Sequence, residues 1–274
     1  MTVATLTDVL EAAEKRGGAV AGLVVLGWED ACAYAEAADE TGIPIVLQAG
    51  PGCRQHTPVP VLGKMFRHLA ERARVPIVCH IDHARTLEEC REGIDNGFTS
   101  VMIDGSSLPI GQNIALTAKI VSLARSAGVS VEGEVGVVGY SGGAASAVTS
   151  PQEAALFDRD SGADALAVSV GNTHLMLQAT TQIDRDALFA IEALTRLPLV
   201  LHGGSGVPID VRQDLARTTR LRKFNLGTEL RQAFGASLRR TLEANPAAFD
   251  RNELLRATIP DVKRVTMSSI VPLW

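Results

Sequence analysis

Four of the six histidines in this chain follow or end short apolar runs, and acids accompany them. They lie in Cys79-His80-Ile81-Asp82-His83, at His174, and in His202-Gly203-Gly204-Ser205-Gly206, whereas His56 and His68 stand apart. Three imidazoles that leave a fourth position open are a familiar zinc arrangement, and a catalytic zinc keeps that position for water or substrate. His83, His174 and His202 are therefore candidate metal ligands, provided that the fold brings them together. Asp82, directly before His83, would be a ligand, an orienting group or a proton carrier. Since three histidines suffice for the metal, Asp82 is free for acid–base work. His80 shares a strand face with Asp82 by the period-two rule and is read as support for the site. Asp104 and Glu134 are candidates for the shell around the histidines. The alternative for these acids is a salt bridge to a lysine or arginine, most of all for Glu132.

The Gly203-Gly204-Ser205-Gly206 turn has the composition of an anion cradle. Glycines let backbone N–H groups approach a phosphate, and a serine hydroxyl adds a donor. Asn225 and Thr228 fall at a comparable position further on and are read with it. Arg54, in Gly50-Pro51-Gly52-Cys53-Arg54, would either meet an anionic group or stand in solvent. Lys223 is poorly placed for a Schiff base, so the chemistry read here needs no lysine.

These groups need a scaffold that gathers distant segments, and the chain offers one. Apolar runs of strand length occupy 19–26, 44–49, 75–82, 100–105, 129–136, 165–171, 198–203 and 222–227. Amphipathic stretches at 29–40, 61–72, 86–96, 114–127, 152–161, 185–196, 211–219 and 229–244 follow them in turn, and 6–15 forms an extra helix in front. Strands alternating with helices indicate a parallel sheet. Eight such units make a (β/α)8 TIM barrel spanning residues 1–274 as one domain the leading architecture. An open doubly wound sheet is the alternative, but the first turn has no G-x-G-x-x-G signature. A barrel gathers all eight strand ends at one rim, and His83, His174 and His202 would meet there. Phosphate sites in barrels often follow the seventh and eighth strands, where the glycine turn and Asn225 fall. The stretch 142–150 reads as a mobile loop after the fifth strand, and 268–274 as a tail.

Composition narrows the class. The hydrophobic fraction of 46% is carried mainly by Ala, Val, Leu and Ile, and aromatics make up only 4%. Small and β-branched residues suit buried parallel strands. A net charge of −5 argues against a nucleic-acid surface and gives no attraction to an anionic membrane. Cys32, Cys53, Cys79 and Cys90 show no paired spacing, which fits reduced thiols in the cytoplasm. Neither a signal peptide nor an apolar run of membrane-spanning length is visible.

Taken together, these segments resemble the class II, metal-dependent ketose-bisphosphate aldolases, most closely the tagatose-bisphosphate and fructose-bisphosphate branch. The segments that carry the resemblance are 79–83, Gly97-Phe98-Thr99-Ser100-Val101-Met102-Ile103-Asp104-Gly105-Ser106, Val131-Glu132-Gly133-Glu134-Val135-Gly136, Ala167 to His174, Val200 to Gly206 and Lys223 to Leu230. The resemblance implies Zn2+ on His83, His174 and His202, although cobalt, iron or manganese would also suit such a site. It also implies Asp82 as the group that takes a hydroxyl proton in cleavage, and Gly203, Ser205, Asn225 and Thr228 around the phosphate of a small phosphorylated sugar. A monovalent cation near that phosphate and a homodimer or homotetramer belong to the same expectation.

The chain departs from the pattern in three places. Leu175 follows the second histidine, where the family usually has glycine. The segment 137–145 lacks the family's acid after the fifth strand, which leaves Tyr140 as a candidate acid–base group or a contact residue. The first strand ends in Leu26-Gly27-Trp28 rather than in a segment containing asparagine. The reading is a zinc-dependent aldehyde-lyase that reversibly cleaves a phosphorylated ketose to dihydroxyacetone phosphate and an aldehyde. Its competitors are a non-catalytic barrel that binds metal and sugar phosphate, and a metal hydrolase.

Overall fold

The computed structural model describes residues 2–139 and 146–274. Nine strands form one sheet: β1 (Val3–Ala4), β2 (Val20–Val24), β3 (Ile45–Ala49), β4 (Ile77–Ala84), β5 (Ser100–Ile103), β6 (Ser130–Val135), β7 (Ala165–Val168), β8 (Leu199–Leu201) and β9 (Leu221–Leu226). Strands β2 to β9 pair in parallel around a closed ring, which β4–β5 and β2–β9 complete. The helices are α1 (Leu6–Arg16), α2 (Trp28–Thr41), α3 (Pro51–His56), α4 (Val59–Arg72), α5 (Leu87–Asp95), α6 (Ile110–Ser126), α7 (Pro151–Ser161), α8 (Arg185–Leu194), α9 (Ile209–Thr218), α10 (Thr228–Ala244), α11 (Arg251–Arg256) and α12 (Ile259–Ile270). The fold is a (β/α)8 TIM barrel.

Each of the eight apolar runs becomes a strand. The seventh and eighth barrel strands are β8 and β9, and the glycine turn after β8 is a short 3-10 helix, Gly204–Gly206.

The barrel interior is layered by side-chain alternation. Val20, Val46, Val78, Met102, Ala165, Ala167 and Val200 form one apolar cluster with Leu6, Val9, Leu10 and Ala13 of α1. Helix α1 therefore plugs the lower end, and full burial of each leucine or valine there contributes about 1.5–3 kcal/mol. Two residues further along the same strands come Gly22, Gln48 and His80, and two further again come Val24 and Asp82. A period of two thus turns a dry floor into a polar middle and a reactive rim.

The outer core lies between strands and helices, with Tyr34, Phe66, Phe98 and Phe157 among its largest buried side chains. Strand β1 extends the wall below β5, pairing Val3 with Ile77 and Ala4 with Val78. The segment expected as a tail is instead packed: it completes α12, buries Leu273, and places Arg16 over the Trp274 ring at 5.3 Å. Strand β1 and helices α3, α11 and α12 were not expected from periodicity, being too short or stabilised by tertiary contacts.

Candidate active site

Strand β4 supplies two consecutive groups to the rim, although alternation should send neighbours to opposite faces. The reason is local. The β4–β5 register shifts between Ile81 and Ala84, and His83 has φ 51°. A left-handed residue at the strand end breaks the alternation, so Asp82 and His83 both reach the same cavity.

The structure brings the three candidate metal ligands together. Ligand nitrogens of His83, His174 and His202 all lie within 4.8 Å of one another. His83 Nε2 is 2.9 Å from His202 Nδ1, and the ring of His174 stands 5.3 Å from that of His83. His202 is fully buried; its Nε2 meets Glu132 Oε1 at 3.0 Å, and Glu132 Oε2 accepts from Lys223 Nζ at 2.6 Å. Glu132 thus has the lysine partner that its alternative reading named, and it also orients a histidine. Lys223 is engaged in that buried pair.

The other face of His83 is acidic. Its Nδ1 lies 3.2 Å from Asp104 Oδ2 and 3.7 Å from Glu134 Oε2. Asp104 is in turn held by the N–H and hydroxyl of Ser106. Burial alone would push the His83 imidazole down, but Asp82, the Asp104 hydrogen bond and Glu134 hold it up at about 9. Burial, reinforced by neighbouring imidazoles, lowers His174 to about 3 and His202 well below its ordinary value. Burial raises Glu134 to about 8 despite the positive charge of His83. Asp104 lies below the carboxylate range: the hydrogen bonds and charge of His83 and Ser106 overcome its burial.

These features fit a divalent metal. Two imidazoles are kept neutral, as ligands must be, and the rings of His83 and His202 are oriented by Asp104 and Glu132. Glu134 Oε2 is buried without a hydrogen-bond partner among the described residues, a second sign that charge is expected here. His83, Asp104 and Glu134 also form a compact group of donors around Nδ1.

Asp82 is directional. Its Oδ1 accepts from Gln48 Nε2 at 2.9 Å and from Asn225 Nδ2 at 3.4 Å. Its Oδ2 faces Gly50, where an added Cβ would stand 3.6 Å away. One oxygen is pinned and the other is presented to the cavity. His80 is fully buried below, with Nδ1 on the Ser100 hydroxyl at 2.8 Å and Nε2 4.0 Å from Asp82 Oδ1.

The cavity of about 240 Å³ is lined by Asp82, His83, His174, Gly203, Ser205, Asn225 and Thr228, among others. Gly203 has φ 63°, and a Cβ there would lie 2.3 Å from the Thr173 oxygen, so the turn admits only glycine. The Gly227 N–H donates to Ser205 Oγ at 3.1 Å, which joins the turn to the N-terminus of α10, where Thr228 begins the helix. Helix N-termini favour anions. Leu175 lines the same cavity at φ 58°, a backbone region that suits glycine. Arg54 faces neither solvent alone nor an anion: its Nη1 donates to the carbonyls of Ala49 and Asp82, both at 2.5 Å, and its Nη2 to that of His83 at 3.2 Å. Tyr140 lies outside the described residues.

Two positioning groups escaped the sequence reading. Gln48 is the lone polar residue of the run Ile45–Ala49, and that isolation was its signal. Asn172 donates to the carbonyls of Val168 and His202, tying the segment before His174 to the end of β8.

Comparison with known proteins gives the family. The family model for class II fructose-bisphosphate aldolase matches residues 4–272. A fructose-bisphosphate aldolase of Helicobacter pylori is 31% identical over 272 residues, covering 89% of each chain. A 6-phospho-5-dehydro-2-deoxy-D-gluconate aldolase of Bacillus licheniformis is 34% identical, covering 96% of this chain and 92% of its own. Among solved structures, the YdjI aldolase of Escherichia coli K12 superposes with a TM-score of 0.85 at 27% identity, covering 99% of this chain and 97% of its own. The barrel, the rim and these relatives together lead to one conclusion: the chain belongs to the class II fructose-bisphosphate aldolase family and is a carbon–carbon lyase.

Proposed function

We propose that the protein is a zinc-dependent aldolase that reversibly cleaves a phosphorylated ketose to dihydroxyacetone phosphate and an aldehyde. The observation that carries this reading is the meeting of His83, His174 and His202 within 4.8 Å beside the open oxygen of Asp82. The three histidines would hold the metal. When bound, zinc supplies Lewis-acid polarisation of the ketone carbonyl and stabilises the negative charge that develops there.

The chain's own groups do the rest. Gly203, Ser205 and Thr228 receive the phosphate through backbone N–H groups, hydroxyls and the first turn of α10. This fixes the ketose so that the bond to be broken lies over Asp82. In cleavage, the hydroxyl on the aldehyde side gives its proton to Asp82 Oδ2 as the carbon–carbon bond breaks. The bonding electron pair stays with the ketone fragment, whose carbon then takes a proton from solvent to give dihydroxyacetone phosphate, and the hydroxyl becomes the aldehyde carbonyl. In condensation Asp82 returns the proton. Gln48 and Asn225 hold Oδ1 throughout, so the working oxygen keeps its direction. We further place the enzyme in the cytoplasm as a homodimer or homotetramer, as its resemblance to the family implies.

The test is a panel of ketose 1-phosphates and ketose bisphosphates offered to zinc-loaded protein, with coupled detection of dihydroxyacetone phosphate. Release from at least one member, abolished by a chelator and restored by zinc, is expected. Release of no triose phosphate from any member by metal-loaded protein would overturn the proposal.

A further inference from the structure

We infer that Arg54 is a positioning residue of the reaction: its guanidinium clamps the end of β3 to the end of β4 and holds the Asp82–His83 backbone in the turn that aims both side chains into the site.

Three observations meet at this side chain. The β3–β4 ladder ends with the pair Ala49–Ile81. Beyond it, the β4–β5 register shifts before resuming at Ala84. The carbonyls of Ala49, Asp82 and His83 therefore lie where regular pairing between neighbouring strands gives out, yet each belongs to the rim. Arg54 takes all three: Nη1 bonds Ala49 and Asp82 at 2.5 Å each, and Nη2 bonds His83 at 3.2 Å. Helix α3 begins after a single residue, Gly50, so Arg54 reaches back over the strand end from only five residues beyond Ala49.

The second observation is the conformation being held. His83 has φ 51°, which is unfavourable for a residue with a Cβ. A non-glycine residue persists in that region when its surroundings over-determine it. Charge-assisted bonds to the Asp82 and His83 carbonyls, which belong to the two peptide groups on either side of the His83 Cα, are such a constraint. Without them the His83 backbone is free to relax to a right-handed or extended form. Relaxation turns the imidazole away from His202 and rotates the Asp82 carboxylate with it. A displacement of about 1 Å at a catalytic group can reduce turnover about 100-fold.

The third observation is the shape of the donor set. Two acceptors share one nitrogen and the third uses the other, an arrangement that needs a planar fork. A lysine ammonium offers the charge from a single point and does not reproduce it. Fork and charge can therefore be separated by substitution.

The inference rests on the proposed metal site, and the experiment distinguishes the two. Zinc affinity of wild type, Arg54→Lys and Arg54→Ala is measured by competition with a chromophoric chelator, alongside kcat and KM. Wild type binding zinc tightly upholds the metal site. The variants are then expected to bind zinc about 10- to 100-fold more weakly, the range found when outer-shell partners are removed. With zinc saturating, kcat is expected to fall by about 100-fold while KM for the phosphorylated ketose changes less than about threefold, because the phosphate cradle lies on other strands. Arg54→Lys is expected to recover neither quantity fully. If Arg54→Ala does not fold, Arg54→Lys, which keeps the stem and the charge, decides alone. Wild-type zinc affinity and kcat in folded Arg54→Lys would overturn the clamp, as would an Arg54→Ala variant that loses thermal stability without loss of either. Failure of wild type itself to bind zinc would overturn the metal reading, and with it the basis for the clamp.

Discussion

Leu175 stands at φ 58° beside the candidate ligand His174 and is 46% exposed. An L-residue in that region costs roughly 1–2 kcal/mol relative to the right-handed form. Glycine escapes the penalty but gives up about 0.5–1 kcal/mol through the greater freedom of its unfolded chain. Leu175→Gly and Leu175→Ala remove nearly the same side chain, so lost burial largely cancels between them. The difference is then the strain, about 1–2 kcal/mol, less the entropy, which leaves glycine ahead by about 0.5–1 kcal/mol. At ordinary positions the order is reversed. For a chain near this size, about 1 kcal/mol corresponds to roughly 2–4 °C in Tm, so Leu175→Gly should melt about 1–4 °C above Leu175→Ala. The assay is calorimetry on both variants, matched for zinc content, since neither substitution touches the three histidines. An alanine variant equal to or more stable than the glycine variant would show that residue 175 is not strained. It would remove the physical reason for regarding Leu175 as a costly departure from the family's glycine.

Further outcomes follow from the site. Asp82→Asn should retain zinc but lose about 10²- to 10⁴-fold in kcat, the usual worth of a general acid–base group; a loss below tenfold would remove Asp82 as the proton carrier. Lys223→Met strands the buried Glu132 carboxylate and should cost about 3–5 kcal/mol in urea unfolding, so a cost under about 1 kcal/mol would contradict the buried pair. Zinc binding near pH 7.5 should release at least about one proton, because His83 is held up at about 9 and the neighbouring Glu134 at about 8, while His174 and His202 are already neutral. Titration calorimetry in two buffers of different ionisation enthalpy reads the release, and its absence would refute the protonated state of both His83 and Glu134. The stability consequence has a definite sign: a raised histidine stabilises the metal-free fold fully below its unfolded value of about 6.5 and ceases to as pH rises through about 9. Metal-free protein should therefore lose stability across that window, in the same direction as the raised Glu134, and denaturant titrations at several pH values would show it.

The eight-fold alternation of apolar runs and amphipathic stretches was legible in the chain because burial of parallel strands demands it. The strand ends were legible for the same reason, and with them the candidates His83, His174, His202, Asp82 and the glycine turn. Other features left no periodic trace. Strand β1 is two residues long, α3 follows β3 through a single residue, and α11 is a six-residue helix that Asp250 caps but that buries none of its side chains, too short to show a period. Gln48 was visible as one amide in an apolar strand, but nothing in its spacing pointed to Asp82, which lies 34 residues away.

What the sequence determined alone was the identity of the groups and the rim they share, because a period of two and the direction of a parallel strand follow from local chain geometry. Only the tertiary structure decided how those groups are used. Closing the ring set His202 against His83 and Glu132 against Lys223, contacts between strands far apart in the chain. It also decided that His83 and Leu175 take left-handed conformations, and that Arg54 spends its donors on the carbonyls of Ala49, Asp82 and His83. Distances, burial and shifted protonation depend on which strands become neighbours, and that is a property of the closed barrel rather than of any segment of it.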